Sequence, residues 1–365
     1  MDMKIAITGL PKSGKTTIFN ALTKGKAEVD AYSSSLTSNV GITKVSDSRL
    51  EVLQNMFQPK KTVPAEVTYV DIAGFARSSH RGGGIEGESL NYLTTADALL
   101  QVVRAFEDEN LPHPEGSIDP QRDIANLDLE LAFSDLTIIE RRLVKLEEAL
   151  KGAKASEHEA YLKEQHLLQK IKSGLEKDLP IRQQDITKEE LKALSNYQFL
   201  TVKPMMVVLN IGEEQIPQAT LLENELDSVY PQFAIVALCG KLEMELAQLN
   251  DAEAAEFRES MGLTTSAVDR IIDLSYHLLG FISFFTTASA ELKAWTIPGG
   301  TLAVKAAGKI HSDMERGFIR AEVISYNDLQ KCGSLAEARK RGMLRTEGKN
   351  YVVKDGDIVT FLFNI

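Results

Sequence analysis

Short apolar runs, separated by stretches with helical spacing, recur along most of the chain. Continuous runs of about four to eight apolar residues are typical of strands that are buried on both faces of a parallel sheet. Such strands joined by helices form an α/β domain. The pattern therefore predicts an α/β fold with strands in the runs 4–8, 66–71, 96–104, 203–210 and 233–241.

The apolar spacing changes between the third and the fourth of these runs. From residue 136 to 150, leucine and isoleucine alternate at intervals of three and four, which is the seam of a coiled coil. A turn at 152–156, a second charged helix and a capping box at 187–190 follow. We therefore predict an α-helical, partly coiled-coil insertion over 122–200. Its seam consists of Leu136, Ile139, Leu143, Leu146 and Leu150.

The pattern changes again after Gly280. Two β-rich runs at 281–286 and 291–297 predict a hairpin-like pair, and a helix is predicted over Ala303–Ile310. The run 351–361 predicts two strands joined by a Lys-Asp-Gly-Asp turn. These elements predict a small α+β domain over 281–365. The α/β domain would then comprise 1–121 and 201–280, interrupted by the helical insertion.

Composition limits the class of protein. The net charge of −11 argues against a generally basic nucleic-acid binder. Cys239 and Cys332 lie too far apart in sequence to suggest a disulfide framework, and a reducing compartment fits them best. The N-terminus lacks the features of a signal peptide, and no apolar run approaches the length of a membrane span. We therefore expect a soluble, cytoplasmic protein.

The last 85 residues differ in charge from the rest of the chain. Residues 281–365 contain 12 Lys and Arg against 9 Asp and Glu, a net charge of +3, which leaves −14 for the remainder. A local basic cluster suits a phosphate backbone; the alternative is a domain that is merely less acidic. The cluster consists of Lys305, Lys309, Arg316, Arg320, Arg339, Lys340, Arg341 and Arg345.

Residues 9–16 fit G-x-x-x-x-G-K-[ST], the phosphate-binding P-loop. The match lies between a predicted strand and a predicted helix, where backbone N–H groups and the positive helix end can converge on phosphate. The alternative is a glycine-rich turn that matches by chance. In a P-loop, Lys15 would reach the β- and γ-phosphates and the Thr16 hydroxyl would hold Mg²⁺. The predicted nucleotide contacts here are Lys12, Ser13, Gly14, Lys15, Thr16 and Thr17.

A second nucleotide signature follows one strand later. Asp71 ends a β-rich run and begins Asp-x-x-Gly, so it can hold Mg²⁺ through water while the Gly74 N–H contacts the γ-phosphate. In the preceding Ser/Thr-rich loop, Ser35 or Thr37 is the candidate that brings a hydroxyl to the metal. Phe75 stands where many switch GTPases carry the Gln that orients the attacking water.

The loop after the strand at 203–210 bears on base choice. Guanine-specific P-loop proteins use Asn-Lys-x-Asp, whose carboxylate accepts guanine N1–H and the 2-amino group. Here the loop is Asn210-Ile211-Gly212-Glu213, which lacks the lysine and carries a longer acid. Adenine lacks both guanine donors, so we predict adenine tolerance and a preference for ATP. A GTPase of the same fold is the alternative.

Together these motifs resemble the YchF subfamily of Obg-related P-loop NTPases over essentially the whole chain. Cys239, Gly240 and Lys241 look like the family's last base-contacting loop, and 307–322 matches its C-terminal, ubiquitin-like TGS domain. The resemblance implies a nucleotide domain interrupted by a coiled-coil arm and followed by the TGS module. It implies ATP hydrolysis in preference to GTP, with ribosomes or RNA as partners. We also expect Mg²⁺ as the cofactor and a monomer. A nucleotide-gated binding module with incidental hydrolysis is the alternative.

The resemblance also implies a catalytic residue. The family's proposed catalytic histidine matches His113, which lies between two prolines and would have to swing toward the γ-phosphate; the alternative is an ordinary exposed histidine. Departures from the family pattern are Lys12-Ser13 in place of Asn-Val and a first switch loop shorter by about one residue. Matching by motif puts Ser35 at the metal-binding threonine and leaves Thr37 open.

Overall fold

The computed structural model describes residues 3–25, 38–72, 88–263, 266–287 and 290–364. By its contacts the chain divides into two compact units. The larger unit comprises 4–41 and 69–267, and the smaller unit comprises 1–3, 42–68 and 268–365. Segment 42–68 thus belongs with the C-terminal sequence, which the order of the sequence does not indicate. The predicted boundaries at 121, 200 and 280 stay a prediction.

The elements are numbered here in chain order. The strands are β1 (Met3–Thr8), β2 (Asn39–Lys44), β3 (Lys61–Val63), β4 (Glu66–Asp71), β5 (Ala98–Arg104), β6 (Met205–Asn210), β7 (Ala234–Leu238), β8 (Phe281–Thr286), β9 (Glu291–Pro298), β10 (Phe318–Ser325), β11 (Arg345–Glu347) and β12 (Asp357–Phe363). The helices are α1 (Lys15–Thr23), α2 (Ser48–Phe57), α3 (Glu88–Thr95), α4 (Pro120–Gly152), α5 (Ala155–Leu175), α6 (Lys188–Leu194), α7 (Ala219–Val229), α8 (Gly240–Leu246), α9 (Asp251–Ser260), α10 (Ala267–Leu278), α11 (Ala303–Ile310), α12 (Ser312–Arg316), α13 (Tyr326–Cys332) and α14 (Leu335–Lys340).

The first sheet has the strand order β2-β4-β1-β5-β6-β7. The pairs β1–β5, β5–β6 and β6–β7 are parallel, as the apolar runs predict. Strands β5 and β6 are buried along their whole length, because helices cover both faces of such a sheet. Parallel strands place their carboxyl ends at one edge. The loops after β1, β5, β6 and β7 therefore begin at the same edge of the sheet, where α/β proteins bind their ligands.

Helix α4 joins this sheet to the helical insertion. Its first turns pack Ile124 and Leu127 into the core of the sheet, whereas Ile139 and Leu146 pack against α5. Of the predicted seam, Ile139 and Leu146 are buried in this cluster, and Leu136 and Leu143 are partly buried there. Asp135, fully buried, ties the returning chain to α4 because its carboxylate accepts the N–H groups of Leu200 and Thr201 and the Thr201 hydroxyl.

The smaller unit contains a second sheet with the order β11-β10-β12-β8-β9-β3. Strands β8 and β9 form the predicted antiparallel pair, and α11 has its predicted bounds. The turn predicted at 354–357 and the strand after it, β12, are present, but the strand predicted before the turn is wrong, because Val352 forms only an isolated bridge with Leu302. Strand β12 pairs with β10 and β8, while Val353 N–H donates to the Thr301 carbonyl and the Tyr351 carbonyl accepts the Ala303 N–H. Residues 351–353 therefore form their backbone hydrogen bonds with the segment that leads into α11.

Candidate nucleotide site

The loop between β1 and α1 is a tight turn whose backbone depends on two glycines. Gly9 and Gly14 have φ angles of 143° and 93°. A Cβ on Gly9 would lie 2.3 Å from the Val102 carbonyl oxygen, and one on Gly14 would lie 2.2 Å from Asn210 Nδ2. Both positions therefore require glycine. Lys12 also has a positive φ angle (64°), although its Cβ makes this left-handed backbone less favourable than it is for glycine.

Lys15 places a buried ammonium group inside this loop. Its Nζ donates to the carbonyls of Gly9 (3.1 Å) and Leu10 (2.9 Å), and the residue is only 8% exposed. Burial lowers the pKa of the Lys15 ammonium to about 8, against an opposing effect of Asp71. A cation held by two neutral carbonyls is poorly compensated. An anionic ligand at this position would therefore gain a strong electrostatic interaction.

Asp71 meets the P-loop at the end of β4. Thr16 Oγ1 donates to Asp71 Oδ2 over 2.8 Å, and Asn39 Nδ2 lies 3.4 Å from the same oxygen. The other oxygen, Oδ1, is buried and has no hydrogen-bond partner in the described chain. Burial raises the pKa of Asp71, while Thr16, Lys15 and Asn39 lower it. A carboxylate oxygen without a partner, beside a hydroxyl, fits a small divalent cation with oxygen ligands.

Asn210 connects the phosphate loop to the loop after β7. Its Nδ2 donates to the Ser13 carbonyl and its Oδ1 accepts the Gly240 N–H, both over 3.0 Å. The residue is buried, so both bonds are shielded from water. Asn210 thus fixes the relative position of three loops at the carboxyl edge of the sheet.

The residues predicted to contact the base differ in exposure. Ile211 and Cys239 are 2% and 6% exposed and belong to the hydrophobic core, so their side chains offer almost no surface to a ligand. Burial also raises the pKa of the Cys239 thiol. Glu213 and Lys241, in contrast, are exposed, and Lys241 Nζ lies 3.4 Å from Glu213 Oε1. This pair occupies the tips of the two loops.

His113 lies apart from the lysine and aspartate of the site. Its Nε2 lies 3.1 Å from Asp123 Oδ2, and its Nδ1 accepts the Glu115 N–H over 3.2 Å. The His113 side chain is 5% exposed, so it is not an ordinary surface histidine. Gln101 Nε2 donates to the Asp123 carbonyl, which anchors the start of α4 to β5. No bond joins His113 to the P-loop in the described ranges.

Sequence reasoning missed Asn39 and Asp123 and left other candidates untested. Asn39 matches the asparagine that ends the family's first-switch-loop pattern but was given no contact, and Asp123 looks like any acidic residue in the first turn of a helix. Lys12 in the loop and Thr17 in the first turn of α1 are both half-buried. The remaining predicted site residues, Ser35, Thr37, Gly74 and Phe75, lie outside the described residues.

Comparison with known proteins identifies the family. A model described as "50S ribosome-binding GTPase" matches 4–139, and the YchF GTPase C-terminal model, described as a protein of unknown function, matches 281–364. The "Ribosome-binding ATPase YchF" of Bacillus subtilis strain 168 is 38% identical over 370 residues and covers both chains completely. The chain belongs to the YchF family. The Escherichia coli O157:H7 protein of the same name is 36% identical over 368 residues, again with complete coverage.

A solved YchF structure agrees with the fold. The Schizosaccharomyces pombe YchF GTPase superposes with a TM-score of 0.86 at 31% identity, covering 99% of this chain and 98% of its own. The predicted class, a P-loop NTPase domain followed by a C-terminal domain, is therefore confirmed. Among the described residues, no helix is both long and apolar enough to cross a membrane.

Proposed function

We propose that this chain is a Mg²⁺-dependent nucleoside triphosphatase that hydrolyses ATP in preference to GTP and acts as a nucleotide-dependent switch on the ribosome. The observation that carries the proposal is the buried cluster of Lys15, Thr16 and Asp71, with one carboxylate oxygen left without a partner. Such a cluster suits a triphosphate and its metal ion.

Two groups of residues have different roles in this proposal, one at the phosphates and one at the metal ion. The P-loop N–H groups and Lys15 bind and orient the phosphates, and exchange of the Gly9 and Leu10 carbonyls for phosphate oxygens gives the ammonium an anionic partner. Thr16 and Asp71 would hold Mg²⁺, which supplies charge neutralisation at the phosphates. Positioning and electrostatic stabilisation are the main contributions that a protein makes to phosphoryl transfer.

The ATP preference is supported by the base loop. Asn210-Ile211-Gly212-Glu213 lacks the lysine and the aspartate of the guanine pattern, and Ile211 is buried in the core. A site that lacks a well-placed acceptor loses the strong discrimination that hydrogen bonds to guanine give. Competition of ATP against GTP on the purified protein tests this. A GTP preference of about tenfold (~1.4 kcal/mol) would contradict it.

The ribosomal partner is supported by the relatives, which are named ribosome-binding ATPases. The basic cluster of the smaller unit gives weaker support for binding to ribosomal RNA than its number of positive charges suggests, because acidic side chains pair with several of them. Arg316, Arg339 and Arg341 are exposed but pair with Asp313, Glu322 and Glu337. Co-sedimentation with ribosomes in ATP, ADP and no nucleotide measures the association, and a Lys15→Met variant shows whether it depends on the nucleotide.

A nucleotide-gated binding module is the second candidate, and one observation favours it. His113 is held by Asp123 rather than directed at the phosphate loop. Because His113 is held in this way, hydrolysis by the isolated protein should be slow. Turnover that ribosomes raise supports the switch enzyme. Nucleotide-dependent binding without any rise in turnover supports the module.

A further inference from the structure

The tips of the two base-end loops carry opposite charges. Glu213 opens a short 3₁₀ helix, Glu213–Gln218, and Lys241 lies in the first turn of α8. Lys241 Nζ is 3.4 Å from Glu213 Oε1, and the two side chains are 70% and 55% exposed. Both groups are therefore accessible to a ligand that enters between the loops.

Hydrogen bonds hold the backbones of the two loops together near Glu213 and Lys241. The Ile211 N–H donates to the Leu238 carbonyl, and the Gly240 N–H donates to Asn210 Oδ1, both over 3.0 Å. Strands β6 and β7 are paired in register up to Asn210 and Leu238. Each charged residue thus lies within three positions of a bond that joins the two loops, so the pair is a property of the loops rather than a chance contact of long side chains.

We propose that Lys241 is a specificity-determining residue that lowers the affinity for guanine nucleotides by occupying the Glu213 carboxylate. The proposal rests on the proposed nucleotide-binding function of this site. Guanine needs an acceptor for its N1–H and 2-amino groups, and a carboxylate is a strong one. The Lys241 ammonium competes for the same lone pairs. Adenine carries neither donor, so it loses nothing to this competition.

The size of the effect follows from exposure. Exposed ion pairs contribute up to about 1 kcal/mol, which corresponds to a change of about fivefold in a dissociation constant. Lys241→Met keeps the aliphatic stem and removes the charge. We expect it to tighten GDP binding about fivefold relative to ADP.

The test is a double-mutant cycle on the full chain. Dissociation constants for ADP and GDP are measured by titration calorimetry for the natural sequence, Lys241→Met, Glu213→Gln and the double variant. Lys177→Met, at an exposed position in the helical insertion, controls for the loss of one positive charge. The gain in GDP affinity should appear in Lys241→Met, vanish in the double variant and be absent in Lys177→Met. Lys241→Arg should keep the original ratio.

Two results would overturn the proposal. One is a GDP-to-ADP ratio in Lys241→Met equal to that of the natural sequence. The other is a gain that survives Glu213→Gln. A melting curve checks that each variant is folded, and Lys241→Gln, which also removes the charge, takes the place of Lys241→Met if that variant is unstable. Failure of the proposed function looks different, because the natural sequence would then bind neither nucleotide or would prefer guanine.

Discussion

The two ends of the candidate nucleotide site are built in opposite ways. At the phosphate end, Lys15 and Asp71 are 8% and 5% exposed and bond to buried or half-buried partners. At the base end, Glu213 and Lys241 are more than half exposed and form an ion pair with each other. Buried charges are costly unless they are paired, whereas exposed ion pairs contribute little. The charged residues of the phosphate end are therefore part of the packed interior, whereas those of the base end can change with little effect on the stability of the fold.

This difference has a functional consequence. Loss of a buried charge should remove binding of any nucleotide, whereas changes at the exposed tips should alter only the choice between bases. Asn210 lies between the two ends, because it bonds to both the P-loop and the Gly240 loop. It should therefore affect binding of every base while leaving the choice unchanged.

The largest effect is expected for Lys15→Met. Truncating one partner of a buried charged contact costs about 2–5 kcal/mol, so ADP and GDP should both bind at least about thirtyfold more weakly. Titration calorimetry measures both constants. The matched control is Lys4→Met, an exposed lysine on the neighbouring strand, which should leave both constants unchanged. Equal affinities in Lys15→Met and the natural sequence would remove the basis for calling this end the phosphate site.

The next effect is expected for Asn210→Ala. It leaves the Ser13 carbonyl and the Gly240 N–H without a partner in a buried place, which costs about 1–3 kcal/mol. The melting temperature should fall, and ADP and GDP should weaken by the same factor, about tenfold. Asn196→Ala, an exposed asparagine of the same unit, serves as the control. A selective loss of one base would place Asn210 in base recognition instead of between the loops.

Much of the phosphate end was predictable because its signals are local. Gly9 and Gly14 need left-handed backbone, and the motif places Lys15 and Thr16 at the start of a helix. The partner of Thr16 was predictable from a second motif, although Asp71 lies 55 residues away. The base end was predicted only in part. Periodicity cannot distinguish a buried Ile211 from one that faces a ligand.

Other parts of the fold lacked any local signal. Strand β2 was missed because its apolar residues, Val40 and Ile42, are exposed at 57% and 60%, the reverse of a strand with a buried apolar face. Strand β3 pairs with β9 through Lys61 and Glu291, which are far apart in sequence. Arg49 bonds to Asp355 in the same unit, again through contacts that only the folded chain reveals.

A pH titration tests whether burial of Lys15 matters for binding. Without nucleotide, the pKa of the Lys15 ammonium is about 8, and a bound phosphate beside it raises that pKa. Below pH 8 the group is charged in both states, so affinity should not change with pH on its account. Above pH 8 binding must take up a proton, so ADP affinity should fall by up to about tenfold per pH unit. Calorimetry at pH 8.5 in buffers of different ionisation enthalpy detects the proton, and Lys15→Met should abolish it.

The smallest effect concerns a buried pair that belongs to neither end of the site. Asp123 holds His113 through a contact with Nε2 that is 3.1 Å long. If His113 acts on the attacking water, it must first leave Asp123, and a weaker partner should release it more often. Replacing a charged acceptor by a neutral one costs a hydrogen bond about 0.5–1 kcal/mol, so Asp123→Asn should raise kcat about threefold. Arg122→Met removes the other partner of the carboxylate and should not raise kcat.

A fall in kcat in Asp123→Asn, with His113→Ala equally slow, would instead make Asp123 the residue that orients the catalytic histidine. Unchanged turnover in both His113→Ala and Asp123→Asn would leave the pair a structural anchor for α4, and the chemistry would then rest on the phosphate end alone.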